Sequence, residues 1–381
     1  MPAQASAGEG DERACRLLAH RELALCADLC AFSPVEPSLL AAGAYELDEA
    51  AARRDGLVYL FDTSRGTLEQ LGEPTRCAGV FELVWGVGAR QRTLLHAGAD
   101  GSVNLLQLVE GGGSSADEEL ALRGEGGAAG ATHAPTLRTA AAAAPDEERG
   151  FCLCAAWRSS ERVAASFSNG RAALLQAREA SLALELEWDA HTLFGAATEV
   201  WAVAQGAGEH LLWTGADDSC LKLWDARHSL SGGRPSLECK AEHGAGVCVV
   251  RPRPSEPHVV ATGSYDEVTR LFDTRAAARG PLDAAAQGDV TGGGCWRMAW
   301  TDDGRSLAAA CMQGGVRVYD VPEGELRLCE RQAYRGHGSI AYGVDWRRDG
   351  RDNVLASCSF YDKDLHLWSL SEAARAPEPR G

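Results

Sequence analysis

The sequence lacks long hydrophobic runs and a recognisable signal segment. Hydrophobic residues make up 45% of its 381 residues, but no apolar run approaches the ~20 residues that a membrane-spanning helix needs. The first residues, MPAQASAGEGDERACR, show no basic segment followed by an apolar one, so no secretory signal is expected. These absences predict a cytoplasmic protein that does not enter a membrane.

Positive charge and metal-binding cysteine patterns are also scarce. The chain has 37 basic and 54 acidic residues and a net charge of −17, which disfavours nucleic acids and anionic membranes as partners because both repel an acidic surface. The 13 cysteines are scattered and odd in number. The close pairs Cys26/Cys30 and Cys152/Cys154 lack zinc-ribbon spacing. We therefore expect reduced core cysteines and no metal site.

A repeat is what the sequence does contain. Seven units end in a short apolar strand, about 45–49 residues apart except for one longer interval, close to the ~40–45 residues of a four-stranded propeller blade. The strand endings are Phe61, Leu106, Leu175, Trp224, Phe272, Tyr319 and Trp368. The chain is therefore predicted to be all-β, a seven-bladed WD40 β-propeller.

A polar residue recurs at a fixed distance before each strand ending. These residues are Asp55, Asp100, Asn169, Asp218, Asp266, Gln313 and Asp362. An Asp there can hydrogen-bond to nearby backbone or to a histidine and so fix a tight turn. His191, His243 and His337 precede three of the inner strands, where a histidine in WD-type blades partners the turn Asp. These residues are therefore predicted to be structural.

The repeat also predicts the domain boundaries. Residues 16–371 are expected to form the propeller, between a disordered tail over 1–15 and a C-terminal tail over 372–381. The longer interval contains residues 109–150, an Ala/Gly/Glu-rich segment without apolar periodicity, which predicts a flexible, disordered loop. Residues before Leu23 are expected to supply an outer strand of the last blade and close the ring.

Several stretches in the later blades carry residues that the repeat does not explain. ATGSYDEVTRLFDTR, GGGCWRMAW, LAAACMQGGVRVYD, SIAYGVDW and LASCSFYDKDLHLW resemble the WD-repeat family of diphthine methyl ester hydrolases in the diphthamide pathway. The resemblance is specific over residues 199–370. It implies hydrolysis of the methyl ester of a modified histidine on translation elongation factor 2, a protein substrate, by a monomer.

Familiar hydrolase motifs are missing, so the site must be built from the propeller itself. There is no G-x-S-x-G, H-E-x-x-H, phosphate-binding loop or dinucleotide fingerprint, and we expect neither metal nor cofactor in the reaction. Asp345 is a carboxylate at a position that is apolar in the other six blades, so it is the leading candidate for general base. His337 is the second choice, and Arg297 could offset charge on the attacked ester oxygen.

Aromatic residues gather at the start of the inner strands in the later blades. Trp201, Trp296 and Tyr342 could hold the substrate's trimethylammonium group by cation–π attraction, although packing between blades would also explain them. Tyr265, Glu267 and Tyr361 are further candidate contacts, because they surround the turns of the last blades. These residues form the predicted substrate-binding set.

The sequence is compatible with two functions. The resemblance implies a carboxylic ester hydrolase. The alternative is a non-catalytic WD40 scaffold that presents elongation factor 2 or another client to separate enzymes, which the fold alone favours.

Overall fold

The computed structural model describes residues 15–111, 133–143, 148–228, 233–278, 280–350 and 353–371. Within these ranges the chain is built from antiparallel strands, with short 3₁₀ helices at Gly88–Arg90 and Thr274–Ala278. Strands form seven larger sheets, numbered below as blades in chain order, and one small hairpin. None of the described helices is long and apolar enough to cross a membrane.

The described chain begins with β1 (Cys15–Glu22), which pairs with β31 (Asp364–Leu370) of the last blade. Blades 1 to 3 follow it. Blade 1 contains β2 (Cys26–Phe32), β3 (Leu39–Asp48), β4 (Arg53–Asp62), β5 (Glu69–Gln70) and β6 (Thr75–Ala78). Blade 2 contains β7 (Val80–Trp85), β8 (Thr93–Gly98), β9 (Val103–Gly111) and β10 (His133–Ala143). Blade 3 contains β11 (Cys152–Ser159), β12 (Arg162–Phe167), β13 (Arg171–Ala177) and β14 (Leu182–Asp189).

A hairpin of β15 (Thr192–Leu193) and β16 (Ala196–Ala197) leads into the second half of the ring. Blade 4 contains β17 (Ala202–Gln205), β18 (Leu211–Gly215), β19 (Leu221–Asp225) and β20 (Leu237–Cys239). Blade 5 contains β21 (Val247–Pro252), β22 (Val259–Ser264), β23 (Thr269–Asp273) and β24 (Ala286–Gln287). Blade 6 contains β25 (Arg297–Trp300), β26 (Ser306–Ala310), β27 (Val316–Asp320) and β28 (Cys329–Tyr334). Blade 7 contains β29 (Ala341–Trp346), β30 (Val354–Ser359) and β31 (Asp364–Leu370).

The blades close into a ring, which confirms the seven-bladed propeller. The innermost strand of each blade contacts the innermost strand of the next, including β29 of blade 7 with β2 of blade 1. The second strands β8, β22 and β26 are buried along their whole length, because each lies between two neighbouring blades. Their small and β-branched residues suit such two-sided burial.

The structural role predicted for the turn residues is confirmed in blades 4 and 5. His191 Nδ1 lies 2.9 Å from the Asp218 carboxylate, and its Nε2 lies 2.7 Å from Thr214 Oγ1. In blade 5 the Asp266 carboxylate accepts the Gly244 N–H at 2.8 Å and contacts Arg270 at 2.8 Å. Both carboxylates therefore satisfy backbone and side-chain donors that connect neighbouring turns.

The predicted closure by the N-terminal segment is also found. β1 pairs antiparallel with β31 and becomes the outer strand of blade 7. Because residues 1–14 and 372–381 lie outside the described residues, both predicted tails remain predictions, although the first described residue, Cys15, is already part of β1.

The 109–150 segment differs from the expectation of a disordered loop. Residues 133–143 form β10, the outer strand of blade 2, which pairs with β9 and buries Leu137 and Ala141. The prediction was wrong for this part, because β10 is the outer strand of blade 2 among the described residues. It escaped detection because an alanine-rich strand shows little apolar alternation. Residues 112–132 and 144–147 lie outside the described residues.

Candidate active site

The site lies where the innermost strands begin, at one mouth of the central channel. In several blades a β-bulge occurs here and leaves one residue without a partner on the neighbouring strand. The bulged residues are Asp28 in β2, Phe81 in β7 and Tyr342 in β29. A bulge re-aims side chains, so the mouth is lined by residues that strand periodicity alone would not place together.

Aromatic side chains surround this mouth in a nearly continuous series of contacts. The ring centroids of Trp201 and Trp296 are 5.1 Å apart, and those of Trp296 and Tyr342 are 5.3 Å apart. Further contacts link Tyr342 to Phe360 and onward through blades 1 to 3. We call the set the aromatic rim: Tyr45, Phe81, Phe151, Trp201, Tyr265, Trp296, Tyr342 and Phe360.

The structure thus brings together the three aromatics predicted to hold the substrate. Tyr265 joins them, with its ring 5.8 Å from that of Trp296. Tyr361 packs edge-on against Phe360 at 5.1 Å and is 70% exposed. Glu267 lies in the blade 5 turn in a left-handed conformation, where its carbonyl accepts the Thr291 N–H.

Ionisable side chains lie beneath the aromatic rim. Asp28, Glu82, Cys154 and Arg297 are buried, and Arg251 is partly exposed. Arg297 Nη2 lies 3.3 Å from Asp28 Oδ2, and Nη1 lies 3.9 Å from Glu82 Oε2. Arg251 approaches the same Glu82 oxygen at 3.5 Å, and the Cys154 thiol donates to it. These five side chains, which come from blades 1, 2, 3, 5 and 6, form the channel charge cluster.

Asp28 is the most unusual member of this cluster. Its side chain is 1% exposed, and burial raises its pKa to about 7, against the opposing effect of the Arg297 guanidinium. Its Oδ1 has no hydrogen-bond partner among the described residues, while Oδ2 faces Arg297. A buried carboxyl group with this pKa and an oxygen without a hydrogen-bond partner is a candidate general base near neutral pH.

Asp345, the leading candidate from the sequence, lies farther along its strand. It is three residues beyond Tyr342 in β29, or about 10 Å at the rise of a β-strand. Its Oδ2 accepts the Phe32 N–H of blade 1 at 2.7 Å, and its Oδ1 lies 3.6 Å from Arg348. The carboxylate therefore joins the last blade to the first.

A cavity of about 350 Å³ occupies this deeper part of the channel. Its lining includes Glu82, Arg251, Arg297, Asp345 and Arg348 but neither Asp28 nor the residues of the aromatic rim. Arg297 lies between the two regions, since it also contacts Asp28 below the aromatic rim. The cavity therefore combines a largely apolar lining with a few charged side chains.

His337 is not brought to the channel charge cluster. Its Nε2 lies 2.7 Å from Ser357 Oγ, which also accepts the Trp368 indole N–H at 3.0 Å. Burial lowers the pKa of His337 to about 3, so the ring is neutral at physiological pH. These contacts match the structural histidine of a WD-type blade.

Sequence reasoning selected Arg297 but missed its partners Asp28 and Glu82. Asp28 had a detectable signal, because it stands where other blades carry Trp201, Trp296 or Tyr342. Glu82 had a similar one as the lone acid in VFELVW. Neither signal shows that two carboxylates and an arginine from three blades meet inside one channel.

An exposed hairpin stands beside the mouth. β15 and β16 lie in the connection that precedes β17, and Trp201 of the aromatic rim follows four residues after the hairpin. Phe194 at its tip is fully exposed, in a left-handed conformation next to Gly195. Such a turn fits a two-residue hairpin loop, and it presents a large apolar ring to solvent.

The fold is shared with proteins of unrelated sequence. No protein-family model matches the chain. One chain in a crystal structure of a mitotic checkpoint complex superposes with a TM-score of 0.66, covering 98% of this chain and 99% of that chain at 15% identity. This similarity supports the propeller fold alone.

Curated relatives connect the sequence to the diphthamide pathway. The diphthine methyltransferase homolog of Dictyostelium discoideum is 30% identical over 229 residues, which are 55% of this chain and 60% of that relative, less than two thirds of its length. The diphthine methyltransferase of Mus musculus is 30% identical over 366 residues, which are 87% of this chain and 69% of that relative. The chain therefore belongs to the diphthine methyltransferase family of WD-repeat propellers.

Proposed function

We propose that this protein is a diphthine methylesterase, which hydrolyses the methyl ester of methylated diphthine on translation elongation factor 2. The observation that carries the proposal is the Asp28–Arg297 pair directly beneath the aromatic rim. Ester hydrolysis needs a base for water and a positive group for the developing oxyanion, and this pair supplies both. The resemblance of the sequence to the family supports the choice of substrate.

The aromatic rim supports binding of the trimethylammonium group that such a substrate carries. Trp296 contacts both Trp201 and Tyr342, and the three rings are half-buried or buried at the mouth. The Trp201 indole N–H donates to Asp217 Oδ1 at 2.7 Å, which places a carboxylate beside the aromatic faces. Aromatic faces attract a quaternary ammonium by about 0.5–2 kcal/mol each.

The proposed reaction follows from the positions of these groups. Asp28 accepts a proton from a water molecule, and the resulting hydroxide attacks the ester carbonyl carbon. Arg297 offsets the negative charge that develops on the carbonyl oxygen. The tetrahedral intermediate then collapses, the C–OCH₃ bond breaks, and the methoxide takes the proton held by Asp28. The products are methanol and the diphthine carboxylic acid, which ionises.

We assign the base to Asp28 rather than Asp345 for a geometric reason. Both carboxylates are buried, and burial raises the pKa of each. Asp345 already accepts the Phe32 N–H at 2.7 Å, whereas one oxygen of Asp28 has no hydrogen-bond partner among the described residues. Asp28 is the bulged residue of its strand, as the aromatic-rim residues Phe81 and Tyr342 are of theirs, whereas Asp345 lies three residues beyond Tyr342.

The exposed hairpin supports a macromolecular substrate. Phe194 stands next to the mouth with no packing role in the propeller core, and it is 101% exposed. Exposed aromatic residues are frequent anchors in protein interfaces. We propose that the hairpin contacts the body of the elongation factor while the modified histidine enters the mouth.

A non-catalytic scaffold is the second candidate, and one observation favours it. Asp28, Glu82 and Arg297 compensate one another's charge, as a purely structural ion-pair network would. In that case the aromatic rim would hold the modified side chain without changing it. The same contacts therefore fit both functions, and only a reaction distinguishes them.

The test is incubation of the purified full-length protein with elongation factor 2 that carries methylated diphthine, followed by intact mass measurement. We expect a loss of about 14 Da, one CH₂, as ester becomes acid. The Asp28→Asn variant should be slower by about 10²–10⁴, whereas Asp345→Asn should keep its turnover if folded. Binding without any mass change would establish the scaffold, and a gain of mass with a methyl donor would establish a transferase.

A further inference from the structure

Blade 7 carries a cluster of possible metal ligands that is separate from the channel. His20 of β1 and Asp364 and His366 of β31 each offer one ligand atom, and these atoms lie within 4.8 Å of one another. Imidazole and carboxylate are the side chains that bind Zn²⁺ when thiolates are absent. The cluster arises at the closure of the ring, where the N-terminal strand meets the last blade.

The strand pairing explains why these residues converge. His20 is directly opposite His366 in the antiparallel pair of β1 and β31. Asp364 precedes His366 by two residues, so both side chains lie on the same face of the strand. The sheet therefore presents the three ligands on one face, with two of them fixed by a single strand.

The distances are suitable for tetrahedral coordination. His20 Nδ1 lies 3.5 Å from Asp364 Oδ1, and His366 Nε2 lies 2.9 Å from Asp364 Oδ2. Ligands bound to zinc at about 2.0–2.1 Å in a tetrahedron are roughly 3.3 Å apart. These two distances run to different oxygens of Asp364, and one ligand atom from each of the three residues lies within 4.8 Å of the others. Side-chain rotation would therefore have to draw the three atoms closer together around an ion.

Two further contacts fit a metal site better than a simple ion pair. Tyr334 OH lies 2.7 Å from His366 Nδ1, which holds the ring in place as outer partners of zinc-bound histidines commonly do. Asp364 Oδ1 is buried and has no hydrogen-bond partner among the described residues. It lies 3.5 Å from His20 Nδ1.

We propose that His20, Asp364 and His366 bind one Zn²⁺ ion and that this ion clamps β1 onto blade 7. His20 is 66% exposed at its side chain, which gives the ion a path from solvent and leaves a fourth position for water. Imidazole ligands disfavour Mg²⁺ and Ca²⁺, which prefer oxygen. The role is structural, so it is independent of the proposed esterase chemistry in the channel.

The experiment uses the full-length protein stripped of metal and then titrated with Zn²⁺ or Co²⁺. We expect one equivalent to bind, Co²⁺ to show visible absorption bands of a low-symmetry site, and Zn²⁺ to raise the melting temperature. His20→Ala should weaken binding at least tenfold. The matched control is His228→Ala, because His228 is also exposed, at 78%, but lies in blade 4.

Hydrogen exchange locates the effect on the fold. Zn²⁺ should slow exchange in residues 15–22 of the wild type and have no such effect in Asp364→Asn. Failure to bind one equivalent of Zn²⁺, binding that His20→Ala leaves unchanged, or equal stabilisation by Mg²⁺ would each overturn the proposal. Esterase activity is not the readout, so failure here would leave the proposed function untouched.

Discussion

Arg297 Nη2 and Asp28 Oδ2 are 3.3 Å apart although 269 residues separate them in the chain. Arg297 opens the innermost strand of blade 6, and Asp28 is the bulged residue in the innermost strand of blade 1. Blade 7 stands between these two blades, so the contact is made inside the channel and not within a sheet. Removing one member of such a buried pair typically lowers the free energy of unfolding by about 3–5 kcal/mol. The two residues therefore also stabilise the closed ring.

The first prediction concerns the pH dependence of ester hydrolysis. The active form of Asp28 is the carboxylate, and burial raises its pKa to about 7. The value of kcat/KM should therefore rise about tenfold per pH unit below pH 7 and level off above it. Steady-state rates from pH 5 to 9 measure this profile. In Asp28→Asn the increase of kcat/KM with pH below pH 7 should disappear. If the increase is unchanged in that variant, Asp28 is not the general base.

The second prediction separates aromatic character from size at the mouth. Tyr342→Phe keeps a ring stacked on Trp296 and should leave KM close to that of the wild type. Tyr342→Leu removes the ring and should raise KM by about 2–30-fold, corresponding to one lost cation–π contact, with a smaller effect on kcat. The measurement is a full kinetic comparison of the two variants. Equal KM values would assign Tyr342 to packing between blades.

The third prediction concerns the structural turns. Asp218→Ala removes contacts with His191 Nδ1 and the Cys220 N–H, so the free energy of unfolding should fall by about 1–3 kcal/mol. Asp266→Ala should behave in the same way. Urea unfolding measures the loss, and kcat of the folded fraction should be normal. A variant with wild-type stability but no activity would show that the turn residue belongs to the site.

The repeat period and the turn residues were enough to predict the fold, because each blade must satisfy the same hydrogen bonds. The same logic located Trp201, Trp296 and Tyr342, since a side chain that departs from the repeat signals an additional role. Asp28 escaped because its significance depends on a bulge in β2 and on Arg297 arriving from blade 6. Such contacts between blades do not recur at a fixed spacing in the sequence. The strand β10 was missed for another reason: it lies within a segment that shows no apolar periodicity.

The fourth prediction tests the hairpin. Phe194→Asn removes the exposed ring, while Asn tolerates the left-handed conformation at this position. Stability should be unchanged, but KM for intact elongation factor should rise by roughly fivefold or more, as for a typical interface anchor. A short peptide that carries the modified histidine should be hydrolysed as before. The control is Leu184→Asn, at an exposed site on the outer strand of blade 3.

The outcome for the peptide decides how the hairpin result is interpreted. An equal loss with both substrates would mean that Phe194 shapes the mouth itself and does not contact the body of the elongation factor. No loss with either substrate would remove the hairpin from the interaction. Only a loss confined to the intact factor supports docking, because the peptide lacks the surface that the hairpin would reach.

The last prediction concerns acid stability, and it depends on a buried histidine of blade 2. His96 is 0% exposed, Asn104 Nδ2 lies 3.1 Å from its Nδ1, and burial lowers its pKa to about 4. The unfolded chain, with an ordinary histidine pKa of about 6.5, therefore binds a proton that the folded chain does not. The stability due to neutral His96 is complete above pH 6.5 and is lost as the pH falls toward 4.

One full proton gives a limiting slope of about 1.4 kcal/mol per pH unit; with these two pKa values the average slope between pH 6 and pH 4 is about 1 kcal/mol per pH unit. Urea unfolding at pH 6, 5 and 4 should show a slope shallower by that amount in His96→Gln than in the wild type. His228→Gln, at an exposed histidine, should keep the wild-type slope. The comparison uses slopes because glutamine also changes core packing at every pH. Parallel slopes for all three proteins would mean that His96 does not couple acid to unfolding.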